Sequence, residues 1–329
     1  MKRIFSAFLA LAIIASVLCW NVAPAKAEAA KQLSIVTTIF PEYDWVRQIL
    51  GDKFPDADVT MLLDNGVDLH SYQPTVDDIV KIATCDLFIY VGGESDSWVE
   101  DALKHSVNKD RKVINLLEVL GDSVKAEETV EGMQETAHDH SEDDDHEEHE
   151  EEMDEHVWLS LKNAQVLCDA ISQALQAIDP ENKEAYAANA EAYEKQLSAL
   201  DEKYQEAVDN ATYKTLLFGD RFPFRYLTDD YGLRYYAAFS GCSAESEASF
   251  ETILFLAKKL DELGLPCILT IEGARHKIAQ TIVENTAKKN QSVLTLDSMQ
   301  STTSKDVAQG TAYLSVMEKN LDVLTDALG

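Results

Sequence analysis

Basic residues are scarce, with 28 Lys and Arg against 59 Asp and Glu and a formal charge of −31. A chain this poor in cations cannot displace phosphate counterions, which excludes nucleic acid as a partner and favours cationic ligands. Beyond the first twenty residues no stretch reaches the roughly 18 apolar residues of a transmembrane helix. No C-x-x-C pair occurs among Cys85, Cys168, Cys242 and Cys267, so neither a thiolate zinc motif nor a dithiol redox motif is encoded. Those cysteines either form a disulfide or stay as buried free thiols.

Enzyme motifs are also lacking. In His146-Glu147-Glu148-His149 the histidines stand three apart instead of the four that H-E-x-x-H requires, and no apolar face supports a helix there. Ser240-Gly241-Cys242-Ser243 lacks the G-x-S-x-G spacing of a nucleophile elbow, and there is no G-x-G-x-x-G or P-loop. The sequence therefore reads as a binding protein and not an enzyme.

At the start, Met1-Lys2-Arg3 is followed by an apolar run from Phe5 to Trp20 and by Ala25-Lys26-Ala27, a small-x-small cleavage pattern. Residues 1–27 are a secretory signal peptide, which places the mature chain outside the cytoplasmic membrane, in a periplasm or on the outer face. Cys19 ends the apolar run as in a lipoprotein signal, although Leu18 precedes it where a small residue is usual, so a lipid anchor at Cys19 is the alternative.

The remainder alternates between two periods. Strand-like runs at 33–38, 59–63, 87–91 and 113–116 are separated by helical stretches, and the pattern returns at 215–218, 234–239, 267–271 and 293–296, with helices over 250–263, 277–289 and 307–328. This predicts an α/β fold of two lobes, each a mainly parallel four-stranded sheet flanked by helices. Asp179-Pro180 opens a helix whose apolar positions Tyr186, Ala190, Tyr193, Leu197, Leu200, Tyr204 and Ala207 follow a 4-3-4-3-4-3 spacing. It is one stiff helix joining the lobes. The domains are thus 28–178, the linker 179–210, and 211–329.

One segment has no periodicity. Residues 137–155 are almost entirely acidic and include His138, His140, His146 and His149, which predicts a disordered loop that collects metal weakly. Ligands of open α/β sheets sit beyond the carboxyl ends of strands. The polar residues there are His70, Asp220, Glu272 and His276, with His156 where the acidic loop ends. Two imidazoles and two carboxylates from both lobes would close a four-coordinate site for a divalent cation. Asp220 equally suits a helix cap, and Glu272 an ion pair with Arg275 or Lys277.

Several motifs together resemble one family. They are Val36-Thr37-Thr38-Ile39-Phe40-Pro41, Asp68-Leu69-His70-Ser71-Tyr72-Gln73-Pro74-Thr75, Val91-Gly92-Gly93 with Trp98, Asp154-Glu155-His156-Val157-Trp158-Leu159, Asn189 with Tyr193, and Leu296-Asp297-Ser298. The chain resembles the solute-binding proteins of zinc and manganese ABC importers (cluster A-I), which include streptococcal surface lipoproteins first described as adhesins. The resemblance implies a monomer that takes Zn²⁺, or alternatively Mn²⁺ or iron, between two lobes and delivers it to a membrane permease; a metal-braced adhesin is the other alternative.

It also implies that His70 and His156 are the first two ligands. At the third ligand position this sequence places Arg221, which cannot bind a metal, so neighbouring Asp220 is the expected substitute. The fourth is Glu272, with His276 as the alternative, since relatives use an acidic residue at either place.

Overall fold

The computed structural model describes residues 32–134, 152–243, 247–273 and 276–329. The signal segment 1–27 with Cys19, and the loop histidines His138, His140, His146 and His149, lie outside the described residues.

Two four-stranded parallel sheets form the frame. The first contains β1 (Ser34–Thr37), β2 (Asp58–Met61), β3 (Leu87–Tyr90) and β4 (Lys112–Asn115) in the order β2-β1-β3-β4. The second repeats that topology with β5 (Thr215–Phe222), β6 (Arg234–Ser240), β7 (Cys267–Ile271) and β8 (Ser292–Leu296) in the order β6-β5-β7-β8. The inner strands are mainly apolar, Ile35, Leu87, Phe88, Ile89 and Ile268 all being fully buried, because helices cover both faces of a parallel sheet.

Helix α1 (Phe40–Leu50) and the helices α2 (Val76–Thr84), α3 (Val99–Lys104) and α4 (Leu116–Leu120) belong to the first lobe, and α5 (Leu161–Ile178) follows, its first turn closed by Ser160 accepting from the Asn163 N–H at 3.0 Å. The 27-residue helix α6 (Lys183–Asp209) is about 40 Å long. It buries Tyr186, Ala190, Tyr193, Leu197, Leu200 and Tyr204 as the spacing predicts, with Val208 in place of Ala207 at its end. Asn189 donates to the Ile49 carbonyl at 3.0 Å in the first lobe, and the Tyr204 hydroxyl donates to the Met317 carbonyl at 2.6 Å in α11 (Tyr313–Leu328) of the second. One apolar core runs from Ile35 to Leu328 through this helix, so Leu33–Gly329 forms one compact unit.

Several local expectations change: the linker helix begins at Lys183 and not at Asp179-Pro180, and the helix expected over 277–289 stops at Glu284. The helix expected over 307–328 is two, Ser304–Ala308 and Tyr313–Leu328, because Gly310 adopts φ +97° between them. Strand β5 does not stop at Phe218; a bulge lets it resume pairing with Arg221 opposite Phe239 and Phe222 opposite Ser240. Residues 152–155, expected to end a structureless loop, are folded: Met153 pairs with Ala126, and the Asp154 N–H donates to the Lys125 carbonyl at 2.8 Å.

Two of the carboxyl groups buried in the first lobe, Glu42 and Asp96, hold their protons strongly. Glu42 accepts from the N–H groups of Thr38 (2.8 Å) and Ile39 (3.2 Å), yet burial, aided by Asp96, pushes it up to about 8. Burial likewise pushes Asp96 up to about 7. The folded chain thus keeps protons that the unfolded chain loses above pH 4.5 and 3.8, and stability falls as pH rises toward 8 and 7 respectively. Glu42→Gln, whose amide oxygen still accepts both N–H groups, should flatten urea-unfolding stability between pH 5 and 8, removing up to about 1.4 kcal/mol per pH unit.

Candidate metal centre

His70 is carried by the loop that leaves β2. Asp68 closes the single 3-10 turn Leu69–Ser71 by accepting from the His70 N–H at 3.1 Å, which fixes the backbone beneath the ring. His156 stands at the start of another 3-10 turn, Val157–Leu159, and is wholly buried. Asp154 Oδ1 accepts from the His156 N–H at 2.9 Å and lies 3.0 Å from its Nδ1. The Tyr226 hydroxyl, from α7 (Arg225–Asp230) in the second lobe, donates to the Asp154 carbonyl at 2.8 Å and accepts from the Lys125 N–H at 3.1 Å. The second lobe therefore pins the segment that presents His156.

The two rings meet edge on. His70 Nε2 lies 3.2 Å from His156 Nε2, while His70 Nδ1 lies 2.8 Å from Ser95 Oγ and 3.4 Å from Glu155 Oε2. Asp154, an acceptor only, makes His156 Nδ1 a donor, and with the Ser95 hydroxyl accepting from His70 Nδ1 the two Nε2 lone pairs point at one another. That arrangement is repulsive unless a proton or a cation lies between them. Two nitrogens at 2.0–2.1 Å from a tetrahedral Zn²⁺ would stand about 3.3 Å apart, close to the spacing found. Outer-shell carboxylates of this kind fix the tautomer and raise the basicity of a ligating imidazole.

Electrostatics divide the pair. Burial and the facing His156 push His70 down to about 3. Burial also opposes charge on His156, but Asp154, with help from Glu155, outweighs it and holds that ring above its ordinary value. Of the two rings His156 is therefore the more readily protonated.

A third atom able to bind a metal belongs to Cys242. Its Sγ and one ring nitrogen each of His70 and His156 all lie within 4.8 Å of one another, the one such group of three among the described residues. Cys242 follows β6 by two residues, and Gly241 makes the approach feasible: a Cβ there would stand 3.0 Å from His156 Cε1. Burial pushes the Cys242 thiol up, with Glu127 adding to it. Cys85, Cys168, Cys242 and Cys267 are all free.

The other residues singled out from the sequence stay apart from the histidine pair. Asp220 lies inside β5 and not beyond it, its Oδ1 taken by the N–H of Arg221 at 2.9 Å and its Oδ2 facing the Ile271 N–H at 3.4 Å. Burial raises its carboxyl above the usual value, partly offset by those N–H groups. Glu272 is occupied by the N–H groups of Ser298 (2.7 Å) and Gln300 (3.1 Å) and by the Ser298 hydroxyl (2.8 Å). His276 is the N-cap of α9 (Lys277–Glu284) with φ +53°, within electrostatic reach of Asp220.

Arg221 turns the other way from Asp220, as successive strand residues do. Its Nη2 meets Asp68 Oδ2 at 2.6 Å across the lobes, and its Nη1 donates to the Ser243 carbonyl at 3.4 Å. Burial opposes charge on Asp68, but Arg221 outweighs it and holds the carboxyl below its ordinary value. Cys242 is the member of this group not singled out as a ligand from the sequence. The rule that found His70, a polar side chain just past a strand's carboxyl end, would have found it too.

Comparison with known proteins bears on this geometry. Residues 35–327 match the family described as zinc-uptake complex component A, periplasmic (ZnuA). The chain is 33% identical over 324 residues to the zinc-binding lipoprotein AdcA of Streptococcus pneumoniae serotype 4, covering 98% of this chain and 60% of that protein. It thus spans about three fifths of the length of such streptococcal relatives. It is 30% identical over 297 residues to the high-affinity zinc uptake system protein ZnuA of Bacillus subtilis strain 168, over 90% of this chain and 88% of the other. The Zn(II)-bound ZnuA-like domain of Streptococcus pneumoniae AdcA matches it with a TM-score of 0.69 at 30% identity, over 90% of this chain and 99% of that one.

Proposed function

Since the chain belongs to the family of periplasmic zinc-uptake components, we propose that it captures Zn²⁺ outside the cytoplasmic membrane, between its two lobes, and delivers it to the membrane permease of an ABC importer. Its work is binding and release, and His70 and His156 are the ligands around which the site closes. The observation that carries this reading is the pair of Nε2 atoms facing at 3.2 Å with both Nδ1 atoms committed elsewhere. Such a pair is prepared for a cation of tetrahedral preference. Two relatives named for zinc binding or zinc uptake support the choice of metal.

The test is a competition titration of metal-stripped protein, from residue 28 onward, with Zn²⁺ and Mn²⁺ offered to the same sample. One tight equivalent preferring zinc is expected. A preference for manganese would keep the transport role and change the cargo; no tight equivalent would end the reading.

The acidic histidine-bearing segment acts, in this proposal, as a weak collector that raises local metal concentration. Deleting 137–151 should remove weak equivalents from the zinc isotherm and leave the tight one unchanged. The deletion has to spare 152–155, because Asp154 and Glu155 hold His156 and His70. Loss of the tight equivalent on deleting 137–151 would contradict this two-tier arrangement.

A further inference from the structure

We propose that Cys242 supplies a thiolate as the third protein ligand of the centre, making it a His₂Cys site selective for zinc-like cations over manganese. This rests on the reading of His70 and His156 as metal ligands. Three observations carry it, and none depends on the other two.

The first is distance. A tetrahedral N–Zn–S arrangement built from Zn–N of 2.0–2.1 Å and Zn–S of 2.3 Å separates nitrogen from sulfur by about 3.6 Å. The Sγ and one ring nitrogen of each histidine already lie within 4.8 Å of one another, so a shift on the order of 1 Å brings them to the separation of a closed site. Asp220 and Glu272 would instead have to abandon backbone N–H partners on their own lobe.

The second is how the turn that bears Cys242 is held. The Cys242 N–H donates to Glu127 Oε1 at 2.9 Å, and the Ser243 carbonyl accepts from Arg221 at 3.4 Å. Arg221 occupies the place where the resemblance expects a ligand, and it braces the neighbouring turn while its other nitrogen reaches Asp68 beside His70. A missing ligand is thereby replaced by a strut that presents another one.

The third is Gly241. Any side chain there would press on His156 Cε1 and Nδ1 and on the Phe222 carbonyl, at 3.0, 3.2 and 3.0 Å, so this glycine is what lets the Cys242 turn lie against the ring.

Binding exchanges one bond for another: the S–H bond of Cys242 breaks, its proton passes to water, and the sulfur's electron pair goes to the metal, with no change of oxidation state. Thiolate favours zinc and its softer analogues, whereas manganese prefers oxygen ligands, so the cysteine contributes selectivity as well as affinity.

The experiment titrates metal-stripped protein with Co²⁺, Zn²⁺ and Mn²⁺, comparing wild type with Cys242→Ser, Asp220→Asn and His70→Ala. Wild type should show the near-ultraviolet thiolate-to-cobalt charge-transfer band. In Cys242→Ser, a nearly isosteric change, the band should vanish and zinc affinity should fall about 100-fold, while manganese affinity falls less than about tenfold. Asp220→Asn should behave as wild type. If wild type binds cobalt tightly without the band and Cys242→Ser keeps its zinc affinity, the thiolate ligand is refuted and the importer reading survives. Loss of affinity in Asp220→Asn together with an intact Cys242→Ser would give the position to Asp220. If wild type binds none of the three metals tightly, both readings fall.

Discussion

His156→Ala should lower zinc affinity by two to three orders of magnitude while leaving a folded protein. Structural zinc sites are worth about 10–16 kcal/mol shared among four ligands, so one ligand accounts for about 3–4 kcal/mol, or a factor of several hundred. His156 carries an additional burden because it is wholly buried and its Nδ1 is engaged by Asp154. His70→Ala should cost a similar factor, since its Nε2 is the other half of the facing pair. Asp154→Asn touches only the outer nitrogen and should cost about 10–100-fold. The ranking is the informative result: isothermal titration of the three variants, with circular dichroism as the fold control, should place both histidines well below Asp154. An Asp154 variant weaker than either histidine variant would mean that the carboxylate itself reaches the metal.

How far this site could be read from the sequence depended on what each residue needed. His70 and His156 were legible twice over, as imidazoles beyond strand or loop ends and as members of recurring motifs. The two sheets were legible because parallel strands covered on both faces are continuous apolar runs, and the long helix because its apolar spacing holds from Tyr186 to Tyr204. Asp220 was placed beyond a strand end because Gly219-Asp220 looks like one, and nothing local shows that pairing with β6 resumes after a bulge. Cys242 reads in the sequence as a disulfide partner or a buried free thiol, since a single cysteine with no C-x-x-C neighbour shows none of the spacing of a thiolate site. Arg221 was recognised as unable to ligate, but its partner Asp68 lies 153 residues away, a relation no local pattern encodes. Asp154 and Glu155 were absorbed into an acidic run, although a buried role for them depends on the Ala126–Met153 pairing that only the fold supplies.

Trp158→Ala is expected to destabilise the protein by about 3–5 kcal/mol and to weaken zinc binding with it. The indole is fully buried two residues after His156, and its ring lies 5.3 Å from that imidazole. Its Nε1 donates to the Ser298 carbonyl at 2.8 Å in the second lobe, and its own carbonyl accepts from the Tyr313 hydroxyl at 2.6 Å. Truncation would leave both a cavity and an unpaired Ser298 carbonyl at the junction of the lobes. At about 2–4 °C per kcal/mol for a chain of this size, the melting temperature should drop by roughly 10 °C. Zinc at a hundredfold excess over its dissociation constant should restore about 2.7 kcal/mol in wild type, and less than that in Trp158→Ala at the same free zinc. Trp158→Phe, which keeps most of the packing and loses the hydrogen bond, should cost only about 1–2 kcal/mol and leave zinc affinity close to wild type. If Trp158→Ala melts early yet binds zinc as tightly as wild type, the indole only fills space. If affinity falls with stability, the same side chain that joins the lobes also holds His156 at its 3.2 Å distance from His70, and closure of the interface and readiness of the metal site are one property of the fold.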